Sequence, residues 1–279
     1  MTSTRLNVLT YRTGPDDRLP VVLLHGFPLD SRMWDDVAPL LPGPRNVLAV
    51  DLPGLGGSAG TLRSPPSLDA AADAVALTLA AVGLTRAVIV GLSMGGYVAL
   101  ALLERHPGLV AGLGLLDTKS TADTVDARAN RLRVASDVET SGNLDAVRGM
   151  ATDLLGASSR SQRPDLVARL AVLIDQQLPS GVAWSQRAMA GRPDRTDVLR
   201  GFQGPALVLV GAEDVATPIV VAEQMVVALA RPHLVVVPRA GHMTAVEDPA
   251  AVAVAIGGLA RRADSRARPR RSTPGRARL

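Results

Sequence analysis

The sequence predicts an α/β fold, in which a mostly parallel central sheet is flanked by helices and carries an inserted helical segment. Short β-branched runs alternate with amphipathic helical stretches along most of the chain. Residues 118–201 interrupt that alternation with helical spacing alone. The pentapeptide GLSMG, residues 91–95, stands where a predicted strand meets a predicted helix. A chain of 279 residues is long enough for one large domain of this class with an insertion.

The predicted strands are short apolar runs bounded by turn residues. They cover residues 6–11, 21–24, 46–50, 88–90, 110–116, 206–210 and 234–237. The run at 21–24 is apolar at every position, which is typical of a strand buried on both faces of a parallel sheet. Helices are predicted over residues 68–82 and 97–103. Another begins at about residue 31, and one after the loop at 211–218 ends at about residue 230. The last begins at Pro249, with Asp248 as its N-cap.

The helical interruption divides the chain into predicted units. Residues 1–117 and 202–262 form the α/β core, and residues 118–201 form a helical cap whose apolar stripes roof a pocket in part. Residues 263–279 are rich in arginine and proline and lack core-forming side chains before Leu279, which predicts a disordered basic tail.

The composition supports a buried core and removes cysteine chemistry. Hydrophobic residues make up 47% of the chain and aromatic residues only 2%, so the core must be built from alanine, valine and leucine. Because the chain contains no cysteine, disulfides, thiol nucleophiles and cysteine-based metal sites are excluded. We expect no metal ion and no cofactor.

The positive charge is concentrated at the end of the sequence. The formal net charge is +4, but the last nineteen residues, from Arg261, hold eight arginines and one acid, so the remainder carries about −3. No basic stripe interleaved with aromatic residues occurs before this segment, and we therefore expect no nucleic-acid partner. The sequence has no signal-peptide-like N-terminus and no apolar run of ~18 residues, from which we expect a cytoplasmic protein with no membrane partner.

Ser93 is the predicted nucleophile. The apex of a tight strand-to-helix turn takes strained backbone angles, and the residues two before and two after it pass close together, so Gly91 and Gly95 suit those positions. The turn exposes the Ser93 hydroxyl and directs the backbone amide of Met94 toward the group that it attacks. The loop HGFP follows a predicted strand at the same edge of the sheet, and the amide of Phe27 within it is the second predicted oxyanion donor.

Four histidines compete for the role of general base. His25 adjoins the predicted oxyanion loop, His106 ends a helix, and His233 begins a strand. Only His242 stands in the loop after the last predicted strand, so we assign it as the base that takes the proton of Ser93.

The acid that orients the histidine is less determined by the sequence. Asp214 lies in the loop after the strand that precedes the strand of the base, Glu213 is its neighbour, and Asp117 ends the strand after the elbow helix. We favour Asp214, because it gives the chain order serine, aspartate, histidine that accompanies this kind of serine turn. Asp117 is the second candidate.

Five motifs occur in one order along the chain: HGFP, DLPGLGGS, GLSMGG, GAEDVATP and GHM. Together they resemble the α/β-hydrolase superfamily, and within it the esterases, lactonases and cofactor-free haloperoxidase-type perhydrolases with a helical cap. The resemblance covers residues 19–259 and implies the α/β-hydrolase fold. It also implies a nucleophile, an acid, a base and two oxyanion donors at Ser93, Asp214, His242, Phe27 and Met94. A serine stands where haloalkane dehalogenases and epoxide hydrolases of this fold carry an aspartate, which disfavours those reactions.

We expect acyl transfer to water, with a small apolar carboxylic ester or lactone as the substrate. The alternatives are hydrolysis of a C–C bond or cofactor-free perhydrolysis by the same triad, and a weakly catalytic ligand receptor on the hydrolase scaffold. The predicted substrate-binding side chains are Phe27, Met94, Trp184 and Met243, taken from a wider apolar set that also includes Trp34, Met150 and Met189. No cluster of lysine or arginine stands near the motif loops, which argues against a polyanionic substrate.

Overall fold

The structure, a computed structural model, describes residues 5–267. Seven strands lie within that range: β1 (Val8–Arg12), β2 (Val21–Leu24), β3 (Val47–Val50), β4 (Ala87–Leu92), β5 (Val110–Leu116), β6 (Ala206–Gly211) and β7 (Leu234–Val237). They form one sheet in the order β1-β3-β2-β4-β5-β6-β7. β1 is antiparallel to β3, and every other neighbouring pair is parallel. The predicted mostly parallel sheet is confirmed.

The central strands are buried on both faces. Every residue of β2, β3, β4, β5 and β6 is buried. Strands of this kind are apolar at successive positions because helices cover both faces of the sheet. Leu24 of β2 pairs with Gly91 of β4, and Gly91 pairs with Leu115 of β5. The carboxyl ends of these parallel strands therefore reach the same edge of the sheet.

Helices flank this sheet and fill the segment between β5 and β6. The α-helices of the described range are α1 (Leu68–Ala81), α2 (Met94–Arg105), α3 (Val125–Ser141), α4 (Asp145–Arg148), α5 (Met150–Asp153), α6 (Ala157–Gln162), α7 (Pro164–Asp175), α8 (Pro179–Ala190), α9 (Thr196–Gly201), α10 (Ile219–Ala228), α11 (Thr244–Glu247) and α12 (Pro249–Ala267). The predicted N-cap of α12 is confirmed, since the carboxylate of Asp248 accepts the backbone N–H of Ala251 at 3.0 Å. No helix within residues 5–267 combines the length and apolarity that crossing a bilayer requires.

The helix predicted from residue 31 has a different form. The segment contains two short 3₁₀-helices, Ser31–Trp34 and Ala38–Leu40, in place of a continuous α-helix. Pro39 and Pro42 explain the difference, because proline has no N–H to donate to the ladder of hydrogen bonds in an α-helix.

The helical segment from α3 to α9 is joined closely to the sheet domain. A Cβ atom on Gly181 of α8 would lie only 1.9 Å from the carbonyl oxygen of Gly54, so the two backbones touch where no side chain fits. Nearby, the indole N–H of Trp184 donates to the carbonyl oxygen of Arg63 at 2.6 Å. The role of residues 118–201 as a cap stays a prediction.

The predicted boundary between the core and the basic tail, at residues 262 and 263, is wrong. α12 continues to Ala267, and Asp264 on this helix is buried. Its carboxylate accepts hydrogen bonds from Arg45 Nη2 at 3.1 Å and from the backbone N–H of Leu19 at 3.0 Å. These partners hold the end of the helix against the core, so residues 263–267 belong to the folded unit. The rest of the predicted tail, residues 268–279, lies outside the described residues.

We expect Asp264→Asn to lower the free energy of unfolding by about 3 kcal/mol. The substitution leaves the guanidinium of Arg45, whose side chain is 3% exposed, as an uncompensated buried charge. Urea denaturation measures the change, with an unchanged m value. The matched control is Asp197→Asn, because that carboxylate is 90% exposed and its loss should cost less than about 0.5 kcal/mol. Equal stability of the Asp264→Asn protein and the wild type would contradict the anchoring role.

Candidate active site

Ser93 lies at the apex of the turn between β4 and α2, in a strained conformation. Its φ is 52° and its ψ is −112°, in a region that non-glycine residues rarely adopt. A Cβ atom on Gly91 would lie 2.1 Å from the carbonyl oxygen of Gly95, and one on Gly95 would lie 2.2 Å from that of Leu24. Both glycines are therefore required by close backbone contacts, as the sequence predicted.

The turn is held from the neighbouring strand β5. The backbone N–H of Ser93 donates to the carbonyl oxygen of Leu116 at 2.9 Å. The hydroxyl of Thr118, just beyond β5, donates to the carbonyl oxygen of Ser93 at 2.8 Å. These two bonds fix the backbone on both sides of the serine side chain, which offsets the strain of the turn.

The structure brings His242 and Asp214 to this serine. His242 Nε2 lies 2.9 Å from Ser93 Oγ, and His242 Nδ1 lies 2.8 Å from Asp214 Oδ2. The serine follows β4, the aspartate follows β6 and the histidine follows β7, so three loops at one edge of the sheet supply the three groups. The arrangement is a continuous chain from a carboxylate through an imidazole to a hydroxyl.

Asp214 is held as a carboxylate by several donors. Oδ1 accepts the backbone N–H groups of Ala216 and Thr217 at 2.8 and 2.9 Å, and Oδ2 accepts the hydroxyl of Thr217 at 2.6 Å. Burial by itself would raise the pKa of Asp214, but the hydrogen bond and charge of His242, with the bonds from Thr217, hold it below its usual range. A negative charge therefore faces the imidazole.

The two other acids considered from the sequence have different partners. Asp117 Oδ1 accepts the backbone N–H of Gly211 at 3.0 Å, and its Oδ2 accepts the hydroxyl of Thr244. Burial, followed by the charge of Asp214, raises the pKa of Asp117 well above its usual range, which favours the protonated form. Glu213 accepts the backbone N–H of Ser158 at 2.8 Å. Within residues 5–267, neither carboxyl group forms a hydrogen bond with His242.

The loop that carries His242 is fixed by Glu247, which the sequence analysis did not single out. Glu247 Oε1 accepts the backbone N–H groups of Gly241 at 2.9 Å and Met243 at 3.1 Å, on either side of the histidine. Its Oε2 accepts the N–H of Gly156 in the helical segment at 2.8 Å. In the sequence Glu247 is one more acid ahead of a helix, and nothing distinguishes it from a helix-capping residue.

The predicted oxyanion donors are oriented by the fold. Met94 is the first residue of α2, where a backbone N–H has no partner within the helix and the helix dipole favours negative charge. Phe27 lies in the loop after β2, in a turn closed by a bond from the N–H of Leu29 to the carbonyl oxygen of Gly26 at 3.0 Å. Within the described residues, neither the N–H of Met94 nor that of Phe27 donates to a protein acceptor. Their role as oxyanion donors stays a prediction.

His25 orders the same loop as a neutral ring. Its Nε2 accepts the backbone N–H of Leu52 at 2.8 Å, so the ring proton must lie on Nδ1, which donates to the carbonyl oxygen of Gly26 at 3.0 Å. Burial lowers the pKa of His25. The ring is fully buried, and it joins the loop after β2 to the loop after β3.

A cavity of about 140 Å³ opens beside Ser93 and His242. It is lined by Phe27, Ser93, Tyr97, Lys119, Arg131, Met150, Leu154, Met189, Ala216, Thr217 and His242. Phe27 is thus the one side chain of the four predicted for substrate binding that lines this cavity. Met94 and Met243 are buried and do not line the cavity. The indole N–H of Trp184 donates to the carbonyl oxygen of Arg63. No group of three or more His, Asp or Glu side chains within residues 5–267 is arranged to hold a metal ion.

The fold brings to the cavity cationic side chains that lie outside the motif loops in the sequence. Lys119 and Arg131 both line the cavity, and Arg192 lies behind Tyr97 with its guanidinium carbon 4.1 Å from the ring centroid. These cations come from the loop after β5 and from the helical segment, not from the motif loops, so the motif sequences alone did not reveal them.

Known proteins resemble this chain in sequence and in fold. A model of the alpha/beta hydrolase family matches residues 21–255. The pimeloyl-[acyl-carrier protein] methyl ester esterase of Neisseria meningitidis serogroup C is 32% identical over 253 residues, covering 83% of this chain and 89% of that protein. A thermophilic esterase from Thermogutta terrifontis, solved with malate bound, is 36% identical with a TM-score of 0.87, over 93% of this chain and 94% of that one. The enol-lactonase of Burkholderia xenovorans LB400, 21% identical, shares the fold with a TM-score of 0.79, over 91% of this chain and 96% of that one.

The neutral, buried state of His25 predicts a pH dependence of stability. Because its folded-state pKa lies below the usual value, the unfolded chain takes up a proton below about pH 6.5 while the folded chain does not. This contribution to stability is present above about pH 6.5 and is lost as the pH falls toward the folded-state pKa, by up to about 1.4 kcal/mol per pH unit. We expect His25→Asn to reduce the slope of the unfolding free energy below about pH 6.5, measured by urea denaturation. Identical slopes for the two proteins would contradict the assignment.

Proposed function

The chain belongs to the alpha/beta hydrolase family, and from this membership we propose that it is a carboxylic ester hydrolase that cleaves a small ester or lactone. In this proposal Ser93 is the nucleophile, His242 the general base and Asp214 the acid that orients the base. The observation that carries the proposal is the unbroken contact from Asp214 Oδ2 through His242 to Ser93 Oγ, at 2.8 and 2.9 Å.

Acylation begins at the hydroxyl of Ser93. Its Oγ attacks the carbonyl carbon of the ester while its proton passes to Nε2 of His242, giving a tetrahedral intermediate with a negative oxygen. The imidazolium then returns the proton to the oxygen of the leaving alcohol as the C–O bond breaks. The product of this half of the reaction is an acyl-enzyme at Ser93, with a neutral His242.

Deacylation reverses these roles with water. His242 Nε2 accepts a proton from a water molecule as its oxygen attacks the acyl carbon, and the second tetrahedral intermediate collapses with the proton returned to Ser93 Oγ. The carboxylic acid leaves and the enzyme is restored. Asp214 keeps the proton of the neutral ring on Nδ1 and stabilises the imidazolium, which its lowered pKa permits.

The negative oxygen of both intermediates needs donors that are already in place. The backbone N–H groups of Phe27 and Met94 are the donors we propose, since Met94 follows the serine, Phe27 lines the same cavity, and both N–H groups lack acceptors within the described residues. One such donor is typically worth about 3 kcal/mol in the transition state. Because these are backbone groups, a side-chain substitution does not remove them.

The size of the cavity favours a small substrate group. An apolar cavity of about 150 Å³ holds a molecule the size of benzene, and the cavity beside Ser93 is about 140 Å³. The relatives support an ester as the bond that is cleaved, because the Neisseria protein is named as a methyl ester esterase and the Thermogutta protein as an esterase. The same triad could act on a C–C bond or in perhydrolysis, but no feature of the cavity favours either.

Hydrolysis of p-nitrophenyl acetate tests the triad and its acid. We expect Ser93→Ala to lower kcat by about 10⁶-fold and Asp214→Asn by about 10⁴-fold. Asp117→Asn is the matched control, since the amide oxygen of asparagine can still accept the N–H of Gly211 and the side chain is uncharged, as the protonated acid is. It should retain kcat within about tenfold.

Two outcomes would contradict this assignment. Full activity of the Ser93→Ala protein would exclude the serine hydrolase mechanism. A large loss for Asp117→Asn together with a small loss for Asp214→Asn would keep the mechanism but move the acid to the end of β5.

A further inference from the structure

Two cationic side chains line the cavity that contains Ser93. Lys119 stands in the loop after β5, and Arg131 lies on α3, in the helical segment. The side chain of each is 22% exposed, so both are partly removed from water yet reachable from the cavity. Partly buried cations are costly unless nearby negative charge balances them.

The protein supplies one shared carboxylate for this cluster. Asp123, with a side chain 2% exposed, binds Arg192 through both of its oxygens, at 2.7 and 2.8 Å. The same carboxylate accepts Arg131 Nε at 2.6 Å and lies 3.4 Å from Lys119 Nζ. Burial by itself would raise the pKa of Asp123, but Arg192 and Arg131 hold it at about 2. One negative charge is thus divided among three positive ones.

The surplus of positive charge faces the cavity. Arg192 binds both oxygens of Asp123, lies against the ring of Tyr97 and does not line the cavity. Arg131 Nη2 donates to no acceptor within residues 5–267. The described residues that line the cavity include no aspartate or glutamate. Burial, and after it the charge of Arg192, lowers the pKa of Lys119.

We propose that Lys119 and Arg131 bind a carboxylate of the substrate, so that the preferred substrate is the half-ester of a short dicarboxylic acid. This inference rests on the proposed function of Ser93. A carboxylate accepts hydrogen bonds from a guanidinium and an ammonium group together, and such charge-assisted bonds are stronger than neutral ones. Met150, Leu154 and Met189 line the same cavity and suit the methylene groups between the carboxylate and the ester. The expected apolar substrate is thereby replaced by an amphiphilic one.

The effect of the substrate carboxylate can be measured with two esters that differ in the charge of one end group. Monomethyl succinate and methyl 4-oxopentanoate have the same number and arrangement of non-hydrogen atoms, but the first ends in a carboxylate where the second ends in a neutral methyl ketone. We expect the wild-type kcat/KM for the anionic ester, corrected for its rate of alkaline hydrolysis, to exceed that of the neutral ester by at least about 10-fold. The preference should shrink as salt is added, because screening weakens interactions between partly exposed charges.

Substitutions of Lys119 and Arg131 distinguish binding of the substrate carboxylate from a purely structural role of these side chains. We expect Lys119→Gln and Arg131→Gln each to lower kcat/KM for monomethyl succinate by about 10- to 100-fold, mainly through KM, and for methyl 4-oxopentanoate by less than about 3-fold. Arg131→Lys should recover part of the loss. The control is Arg133→Gln, which removes a cation from the same helix where the side chain is 64% exposed, and it should change neither substrate. Asp123 keeps Arg192 in every variant, so the cluster retains its buried pair.

Each outcome bears on one of the two proposals. Equal corrected rates for the two esters in the wild type would overturn the carboxylate site while leaving the serine hydrolase intact. Equal losses on both esters in Lys119→Gln and Arg131→Gln would also overturn it, because the residues would then act on structure alone. Retention of both activities by Ser93→Ala would instead overturn the proposed function.

Discussion

The strained backbone at Ser93 is the constraint on which the rest of the site depends. A residue in this conformation costs about 1–3 kcal/mol, and it persists only where its surroundings determine it fully. Here β4 is buried between β2 and β5, while the carbonyl oxygen of Leu116 and the hydroxyl of Thr118 hold the turn. The same geometry exposes Ser93 Oγ to His242 and, within residues 5–267, leaves the N–H of Met94 without a protein acceptor at the start of α2. Strain, exposure and donor placement are therefore consequences of one turn.

The parallel sheet turns distant parts of the sequence into neighbours. Ser93 and His242 are 149 residues apart, yet β4 and β7 end at the same edge. The helical segment also contributes to the alignment, since the carbonyl oxygen of Leu154 accepts the N–H of His242 at 2.9 Å and Gly156 donates to Glu247. His242 is thus positioned by the sheet and by the insertion together. The insertion, through Arg131, also supplies charge to the cavity.

Local patterns predicted the turn and the strands, because each depends on neighbours within a few positions. Chain order singled out Ser93, Asp214 and His242, and the structure brings these three side chains into contact. Features that arise only in three dimensions were missed. Lys119 and Arg131 reach the cavity from separate segments, and Glu247 acts through a loop that the sequence does not place. The sequence does not show whether large apolar side chains such as Trp184 and Met243 face the cavity or the core. The end of α12 is set by Asp264 and Arg45, which are 219 residues apart.

In the proposed mechanism, folding makes one serine hydroxyl reactive. A fluorophosphonate bonds to serines whose proton an adjacent base removes, so treatment of the folded protein and mapping of the modified peptide identify that hydroxyl. We expect a single adduct, on Ser93. An adduct on another residue, with Ser93 unmodified, would rule out this mechanism.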